Sequence, residues 1–197
     1  MCDLNIHNLC KAFNGKVVLD HVNAVLPAGQ ITGLMAPSGA GKTTLLRILM
    51  GLEKADSGTI DHLAHRKLSA VFQEDRLVDH LDAIANIRLI NPQLPASQIL
   101  EALGQFGLAE AARQPVRELS GGQKRRVALL RGILADFDFL ILDEPFKGLD
   151  QKTKEAVMEK TRTACQGKTV LFVTHDPSEL EAMQVSHTIS LEPDSPL

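Results

Sequence analysis

The sequence predicts an α/β fold in which helices cover a parallel β-sheet. Two observations carry this prediction. Candidate strands and helices alternate along much of the 197 residues, and the run FDFLILDE (137–144) has the continuous apolar stretch of a strand buried in a parallel sheet. A third observation is the glycine-rich segment APSGAGKTT (36–44), which lies between an apolar strand and a helix.

The N-terminal part of the chain predicts short strands, broken by turns, and one helix. The strand segments are LNIHNLCKAF (4–13), KVVLDHVNAVL (16–26), QITGLM (30–35) and, beyond the helix, KLSAVFQ (67–73). The helix GKTTLLRILMG (41–51) follows the glycine-rich segment, and Gly51 is a typical stop for it.

Helical spacing dominates the middle of the chain. LDAIANIRLI (81–90) and PASQILEALGQFGLAEAA (95–112) have this spacing, and Pro92 and Pro95 separate them. We therefore expect one domain over 1–197, in which a helical subdomain (about 80–135) is inserted into a core made of 1–79 and 136–197.

The last part of the chain continues the alternation of helices and strands. After FDFLILDE we predict a helix from about Lys152, the strand KTVLFVTH (168–175), a further helix and the final strand HTISL (187–191). Asp176 as N-cap and Pro177 at the first helical position mark the start of that further helix. The chain stops soon after the final strand, so we expect no C-terminal regulatory domain.

Composition excludes several classes of protein. Apolar residues make up 44% and charged residues 23% of the chain, as in soluble globular proteins, and a net charge of −3 gives no support to nucleic-acid binding. No apolar run is long enough to span a membrane, so we expect a cytoplasmic protein. Three widely spaced cysteines predict free thiols rather than a metal site.

The segment APSGAGKTT fits the pattern of a phosphate-binding loop. Backbone N–H groups of Ser38 to Thr43 would surround a β-phosphate, Lys42 would span the β- and γ-phosphates, and the Thr43 hydroxyl would bind Mg²⁺. The predicted nucleotide-binding residues of this loop are Ala36, Pro37, Ser38, Gly39, Ala40, Gly41, Lys42, Thr43 and Thr44. The loop usually starts with glycine, and Ala36 is tolerable there if its φ is negative. A glycine-rich turn with an exposed lysine is the alternative, which the preceding apolar strand disfavours.

Two carboxylates, Asp143 and Glu144, close the apolar run. Side chains of adjacent residues on an extended chain point in different directions. Asp143 could therefore hold Mg²⁺ through water while Glu144 acts as the general base toward an attacking water. The alternative is a solvated acidic strand end before Pro145, which becomes a minor possibility beside a phosphate loop.

The segment LSGGQKRRVALLR (119–131) starts a helix in an unusual way. Ser120 and Gln123 form a capping-box pattern, but Gly121 and Gly122 in the first turn each weaken the helix by about 1 kcal/mol relative to alanine. Free N–H groups and the positive dipole end meet at a helix start, so an anion is the physical explanation to test. We expect the basic residues Lys124, Arg125 and Arg126 to form the solvated side of this helix.

With APSGAGKTT, LSGGQKRRVALL, LILDEP and VTHD in this order, the chain resembles the nucleotide-binding subunit of an ABC transporter over essentially its whole length. The resemblance implies a P-loop NTPase (RecA-like) core with an N-terminal antiparallel β subdomain and an inserted α-helical subdomain. It also implies ATP and Mg²⁺ as ligands and ATP hydrolysis coupled to transport. The match is nearest to importers of the nitrate, sulfonate and taurine type.

The resemblance also assigns roles to single residues. Ser120, Gly121, Gly122 and Gln123 match the signature that binds the γ-phosphate of ATP held by a second copy, and Asp150 matches the D-loop aspartate facing that copy. Gln73 matches the Q-loop residue that senses Mg²⁺ and water, and His175 matches the switch histidine. Phe13, with Val18 beside it, falls where an aromatic ring stacks on adenine. Taken singly, Phe13 could be a core residue, Gln73 a polar strand end and His175 a structural hydrogen bonder. Phe146 and Lys147 depart from the commoner Ser-Ala of the family.

As partners, the resemblance implies a second copy in a head-to-tail dimer, and a membrane permease that docks near 73–89 on the cytoplasmic face. An extracytoplasmic substrate-binding protein is a possible further partner. An exporter-type cassette and a nonhydrolysing nucleotide-dependent scaffold are the alternatives; a scaffold would have lost the base or the switch, and Glu144 and His175 are both present.

Overall fold

The computed structural model describes residues 2–37 and 39–191. Its strands are β1 (Leu4–Phe13), β2 (Lys16–Leu26), β3 (Ile31–Leu34), β4 (Ser57–Asp61), β5 (Leu68–Val71), β6 (Phe139–Asp143), β7 (Thr169–Val173) and β8 (His187–Ile189). Its α-helices are α1 (Lys42–Leu49), α2 (Ala83–Arg88), α3 (Ala96–Gln105), α4 (Gly121–Ile133), α5 (Gln151–Ala164) and α6 (Pro177–Ala182). None of the helices within these two ranges is both long and apolar enough to cross a membrane.

The strands form two sheets. β1 lies between β2 and β4 in an antiparallel sheet, and the order β5-β6-β7-β3-β8 makes a sheet whose pairings are all parallel. The helices α2, α3 and α4 follow one another between β5 and β6. The predicted α/β class is therefore confirmed.

The parallel sheet is buried on both faces because its strands alternate apolar side chains to either side. Leu140 and Leu142 of β6 pack in one apolar cluster with residues of α2 to α5. Phe139 and Ile141, the intervening residues, pack in a second cluster with α1 and the antiparallel sheet. This two-sided burial is the reason that the run FDFLILDE is continuously apolar.

Two segments differ from the sequence-based expectation. β4 was not predicted, because its sequence SGTID is polar and mostly exposed, and the pairing with β1 defines it as a strand. The helix predicted over 95–112 ends at Gln105, since Gly107 takes a φ of +66°, and turns follow it.

Candidate active site

A cleft of about 600 Å³ opens at the carboxyl ends of β3, β5, β6 and β7. Ligands of open parallel sheets bind at this edge, because the loops that leave the strands meet there. Its lining residues are Val18, Ala36, Pro37, Gly39, Gly41, Lys42, Thr43, Thr44, Gln73, Asp143, Glu144, Lys147 and His175. The fold thus brings together the predicted loop, acidic pair, glutamine and histidine, although they are far apart in sequence.

The phosphate loop joins β3 to α1 and requires glycine at position 41, directly before the helix. Gly41 is the N-cap of α1 with a φ of +90°, and a Cβ there would lie 2.7 Å from the Val18 carbonyl oxygen. The Lys42 ammonium donates to the carbonyl oxygens of Ala36 and Pro37, so it folds back over its own loop. Ala36 does not have a positive φ, as its Cβ requires.

Ser38 and Ala40 differ from the other residues of the predicted loop. Ser38 lies outside the described residues. Ala40 does not line the cleft but packs against the second apolar cluster, and its N–H donates to the Pro37 carbonyl at 3.2 Å.

Asp143 and Glu144 both line the cleft, but they do not form the continuous extended segment that the sequence prediction assumed. Asp143 is the last residue of β6, whereas Glu144 has a φ of +45° and has left the extended conformation. The Glu144 N–H donates to the Val173 carbonyl at 3.0 Å, which fixes this left-handed turn against β7. A non-glycine residue held at positive φ is strained, and such strain concentrates at functional sites.

Three side chains converge on the Glu144 carboxylate. The Gln73 Nε2 donates to Oε2 at 3.3 Å, the His175 Nδ1 lies 3.3 Å from Oε1, and the Lys147 Nζ lies 3.0 Å from Oε2. Partial burial raises the pKa of Glu144, but Lys147 and His175 together outweigh burial and hold this pKa below its usual range. The carboxylate is therefore ionised and oriented at neutral pH, as a general base must be.

The neighbouring carboxyl has the opposite shift. Burial, and then the negative charge of Glu144, raise the pKa of Asp143, while the cations Arg125 and Lys42 oppose that rise. A carboxylate that is partly desolvated and under-compensated is a good site for a divalent cation, because the cation supplies the missing positive charge.

Arg125 corrects the prediction of a solvated basic face. It is 4% exposed, and its guanidinium donates to the carbonyl oxygens of Phe72, Gln73, Asp143, Glu144 and Pro145 and to the Asp75 carboxylate. One buried cation on α4 thus ties the segment after β5 to the segment after β6. Arg126 and Lys124 are both half-buried, and Arg126 donates to the carbonyls of Phe106 and Gly107.

His175 stands between two residues that belong to a polar network. The Lys154 ammonium lies 2.9 Å from Asp176 and 2.6 Å from the buried Glu179, which accepts from the Thr174 hydroxyl at 2.5 Å. Hydrogen bonds from Ser178 and then Lys154 lower the pKa of Asp176 to about 2. The network fixes the backbone on both sides of His175, while the imidazole itself stays exposed to the cleft.

The remaining predicted residues do not line the cleft. The capping box is present, since the Ser120 oxygen accepts from the Gln123 N–H and the Gln123 side chain accepts from the Ser120 N–H. Ser120 and Gly121 are exposed, Gly122 and Gln123 are partly exposed, and Asp150 is the exposed N-cap of α5, accepting from the Thr153 N–H at 3.1 Å. Phe13, at the end of β1, is 42% exposed with the Lys11 ammonium 5.0 Å from its ring centroid.

Sequence reasoning missed two residues of the site, Lys147 and Arg125. The departure of Lys147 from the common family pattern was a signal for the first. Within the sequence KRR, nothing local distinguishes the buried arginine from its neighbours.

Comparisons with known proteins show the family of the chain. The family model described as ABC transporter matches residues 19–147. The sulfate/thiosulfate import ATP-binding protein CysA of Nephroselmis olivacea is 38% identical, over 93% of this chain and 58% of its own length. The aliphatic sulfonates import ATP-binding protein SsuB 3 of Pseudomonas syringae pv. tomato is 41% identical, over 91% of this chain and 70% of its own length. The spermidine/putrescine import ATP-binding protein PotA of Marinobacter nauticus is 37% identical, over 91% and 53%.

The fold and the site define a P-loop NTPase, with the phosphate loop and the acidic strand end facing one cleft. The chain belongs to the ABC transporter family. The family resemblance predicted from the sequence is thereby confirmed. The chain spans a little over half the length of the first curated relatives that it matches.

Proposed function

We propose that the chain binds and hydrolyses ATP as the ATP-binding subunit of an ABC importer. The observation that carries this proposal is the convergence of Gln73, His175 and Lys147 on the Glu144 carboxylate, in the cleft that also contains the phosphate loop. The volume of about 600 Å³ suits a nucleotide-sized ligand.

The chemistry needs positioning, charge neutralisation and an oriented water. Lys42 would exchange its present carbonyl partners for phosphate oxygens, since a charged acceptor binds an ammonium more strongly than a neutral one. Glu144 would accept the proton of the attacking water, with Gln73 and His175 fixing its two oxygens. These roles rest on the geometry of the described side chains.

The oxygen donors of the cleft fit Mg²⁺. The Thr43 hydroxyl, the Gln73 amide oxygen and the Asp143 carboxylate are hard ligands of the kind that Mg²⁺ takes. Burial, and then the negative charge of Glu144, raise the pKa of Asp143, and a bound cation would offset both. We propose that these residues hold a Mg²⁺ ion, which would neutralise phosphate charge when bound. The loop residues Ala36 to Thr44, including Ser38, would bind the phosphates.

The signature residues lie outside the cleft, which supports a site completed by a second copy. We propose that Ser120, Gly121, Gly122 and Gln123 of one copy bind the terminal phosphate held by the other, with Asp150 at the contact between them. A helix start with exposed N–H groups suits that ligand. Phe13 would stack on the adenine, with Val18 beside it.

The relatives guide the choice of partners. The three named above are import proteins, which favours an importer over an exporter or a scaffold. We propose a membrane permease that docks near 73–89, where Leu89 is 56% exposed, and place the chain on the cytoplasmic face of the membrane. An extracytoplasmic substrate-binding protein would deliver a small anion such as a sulfonate. Residues from about 80 to 135 would move as one helical subdomain.

Two experiments test the proposal. Glu144→Gln should abolish phosphate release and trap an ATP-bound dimer in sizing chromatography with ATP and Mg²⁺, whereas Lys42→Ala should bind no nucleotide and stay monomeric. A Glu144→Gln protein that remains monomeric under those conditions contradicts the shared site.

The second experiment mixes two inactive variants. Ser120→Arg and Lys42→Ala proteins should together recover part of the turnover, because one intact site forms at each mixed interface. No recovery, in a mixture shown to contain mixed dimers, would contradict the division of the site between two copies.

A further inference from the structure

Lys147 is a second ammonium group in the cleft, in addition to Lys42. Its Nζ lies 3.0 Å from Glu144 Oε2, and its side chain is 54% exposed while that of Glu144 is 18% exposed. The pair therefore joins a solvent-exposed cation to a partly buried carboxylate. An exposed ion pair of this kind contributes little to folding, about 0–1 kcal/mol.

The backbone of Lys147 is held in place although its side chain is not. Its N–H donates to the Glu144 carbonyl at 3.2 Å, and the Leu149 N–H donates to the Phe146 carbonyl at 3.3 Å. Phe146 is 1% exposed and its ring lies 5.8 Å from that of Phe172 in the core. The turn thus fixes where the lysine side chain starts, and its four-carbon stem leaves the ammonium free to change partner.

The Glu144 carboxylate keeps its orientation without the lysine. Gln73 donates to the same oxygen that Lys147 contacts, and His175 lies against the other oxygen. Departure of the ammonium would therefore uncover one lone-pair position of Oε2 to which a water molecule could donate, without releasing the side chain.

We propose that Lys147 is a further phosphate-binding residue, shared between Glu144 and the terminal phosphate of a bound nucleoside triphosphate. The inference rests on the proposed function. With the cleft free of triphosphate, Lys147 occupies the carboxylate. A terminal phosphate carries about two negative charges and three acceptor oxygens against the one charge of the carboxylate, so it attracts the ammonium and uncovers the base. The base is then exposed only when its substrate is present.

The proposal predicts discrimination between nucleotides by one side chain. Lys147→Met, which keeps the length of the stem and removes the charge, should weaken binding of the nonhydrolysable β,γ-imido analogue of ATP about tenfold, the effect of one charge-assisted hydrogen bond. Binding of ADP, which lacks the third phosphate, should change by less than about twofold. Lys147→Arg should keep most of the affinity for the analogue.

Isothermal titration calorimetry of the full chain with Mg²⁺ present measures both affinities. Lys152→Met, an exposed lysine on α5 outside the cleft lining, is the matched control and should change neither. Equal affinities of wild type and Lys147→Met for the analogue would overturn the proposal, and so would equal weakening of both nucleotides. A wild-type chain that binds neither nucleotide would contradict the proposed function itself, and this inference with it.

Discussion

The start of α4 and its middle have opposite surroundings. At the start, Ser120 and Gly121 are exposed, and an added Cβ on Gly121 would meet nothing within 4 Å. One turn further on, Arg125 is 4% exposed and joins two loops of the cleft through backbone carbonyls. One helix therefore starts at two exposed residues and has a buried arginine in its middle that joins two loops of the cleft.

Under the proposed function, the start of α4 serves binding to a second copy, whereas its middle serves stability. The exposed end agrees with binding to a second copy, for which open N–H groups are needed. The buried middle transmits the position of α4 to Gln73 and Glu144, because the same guanidinium binds the carbonyl oxygens of both residues. Substitutions at the two places should therefore have different consequences.

The largest effect is expected for Arg125→Met. Removing the guanidinium leaves several partly buried carbonyl oxygens and the Asp75 carboxylate without their donor, so the free energy of unfolding should fall by about 3 kcal/mol or more. Urea unfolding measures this change. Arg117→Met, at a side chain that is 66% exposed, is the control and should change the free energy by less than about 0.5 kcal/mol. Equal losses at both positions would mean that the hydrogen bonds of Arg125 do not stabilise the fold more than an exposed arginine does.

The second effect concerns the packing of α4 on the sheet. A Cβ on Gly132 would lie 2.4 Å from the Val71 Cγ2, so Gly132→Ala should destabilise the fold by about 1–3 kcal/mol through overpacking. Gly132→Ala should cost less in a Val71→Ala background than in the wild type, because that background lacks the clashing methyl groups. An equal cost of Gly132→Ala in both backgrounds would show that the contact is not the cause.

The distinction between the two parts of α4 could be predicted only in part. The capping box of Ser120 and Gln123 is a local pattern, so it was predicted from the sequence, and its two hydrogen bonds are present. Arg125 was misjudged because burial of one residue in KRR depends on which face of α4 meets the loops after β5 and β6, and that is set by tertiary packing.

The strands show the same difference between local patterns, which the sequence contains, and tertiary contacts, which it does not reveal. β1 and β2 have the predicted bounds, since an Asn-Gly turn at 14–15 separates two strand-like runs. β4 is polar and becomes a strand only through its partner β1. The cleft was predictable because motif residues lie at the ends of strands. The contact of Lys147 with Glu144 was not, because it depends on a left-handed turn at Glu144 that no sequence pattern predicted.

A smaller effect tests the electrostatics of Asp143, whose backbone carbonyl accepts from the buried Arg125 in the middle of α4. Burial and Glu144 raise the pKa of Asp143, while Arg125 opposes them, so its charge disfavours the nucleotide-free fold. Without Mg²⁺ and nucleotide, Asp143→Asn should raise the melting temperature at neutral pH by less than Gly132→Ala lowers it. For an acid whose folded pKa is raised, the penalty is absent below its unfolded pKa, near 4, and grows as pH rises toward the folded value. The advantage of Asn should therefore disappear in acid, and a constant advantage from acid to neutral pH would contradict this cause.

The smallest effect on stability is expected at the exposed start of α4. It should be stabilising, whereas Arg125→Met should be destabilising. Gly121 has open space around its Cβ position and no positive φ, so Gly121→Ala should stabilise α4 by about 0.5–1 kcal/mol. If the bare start of α4 approaches the phosphate held by a second copy, the added methyl group should nevertheless lower ATP turnover at least about tenfold, since crowding at a phosphate contact costs more than one hydrogen bond. Gly104→Ala on α3 is the matched control, because its Cβ position is also open, and it should stabilise the chain without loss of turnover. Urea unfolding and phosphate release measure the two quantities on the same preparations. A Gly121→Ala protein that is more stable and fully active would contradict a close approach of the start of α4 to the phosphate. Only the middle of α4, through Arg125, would then contribute to the site.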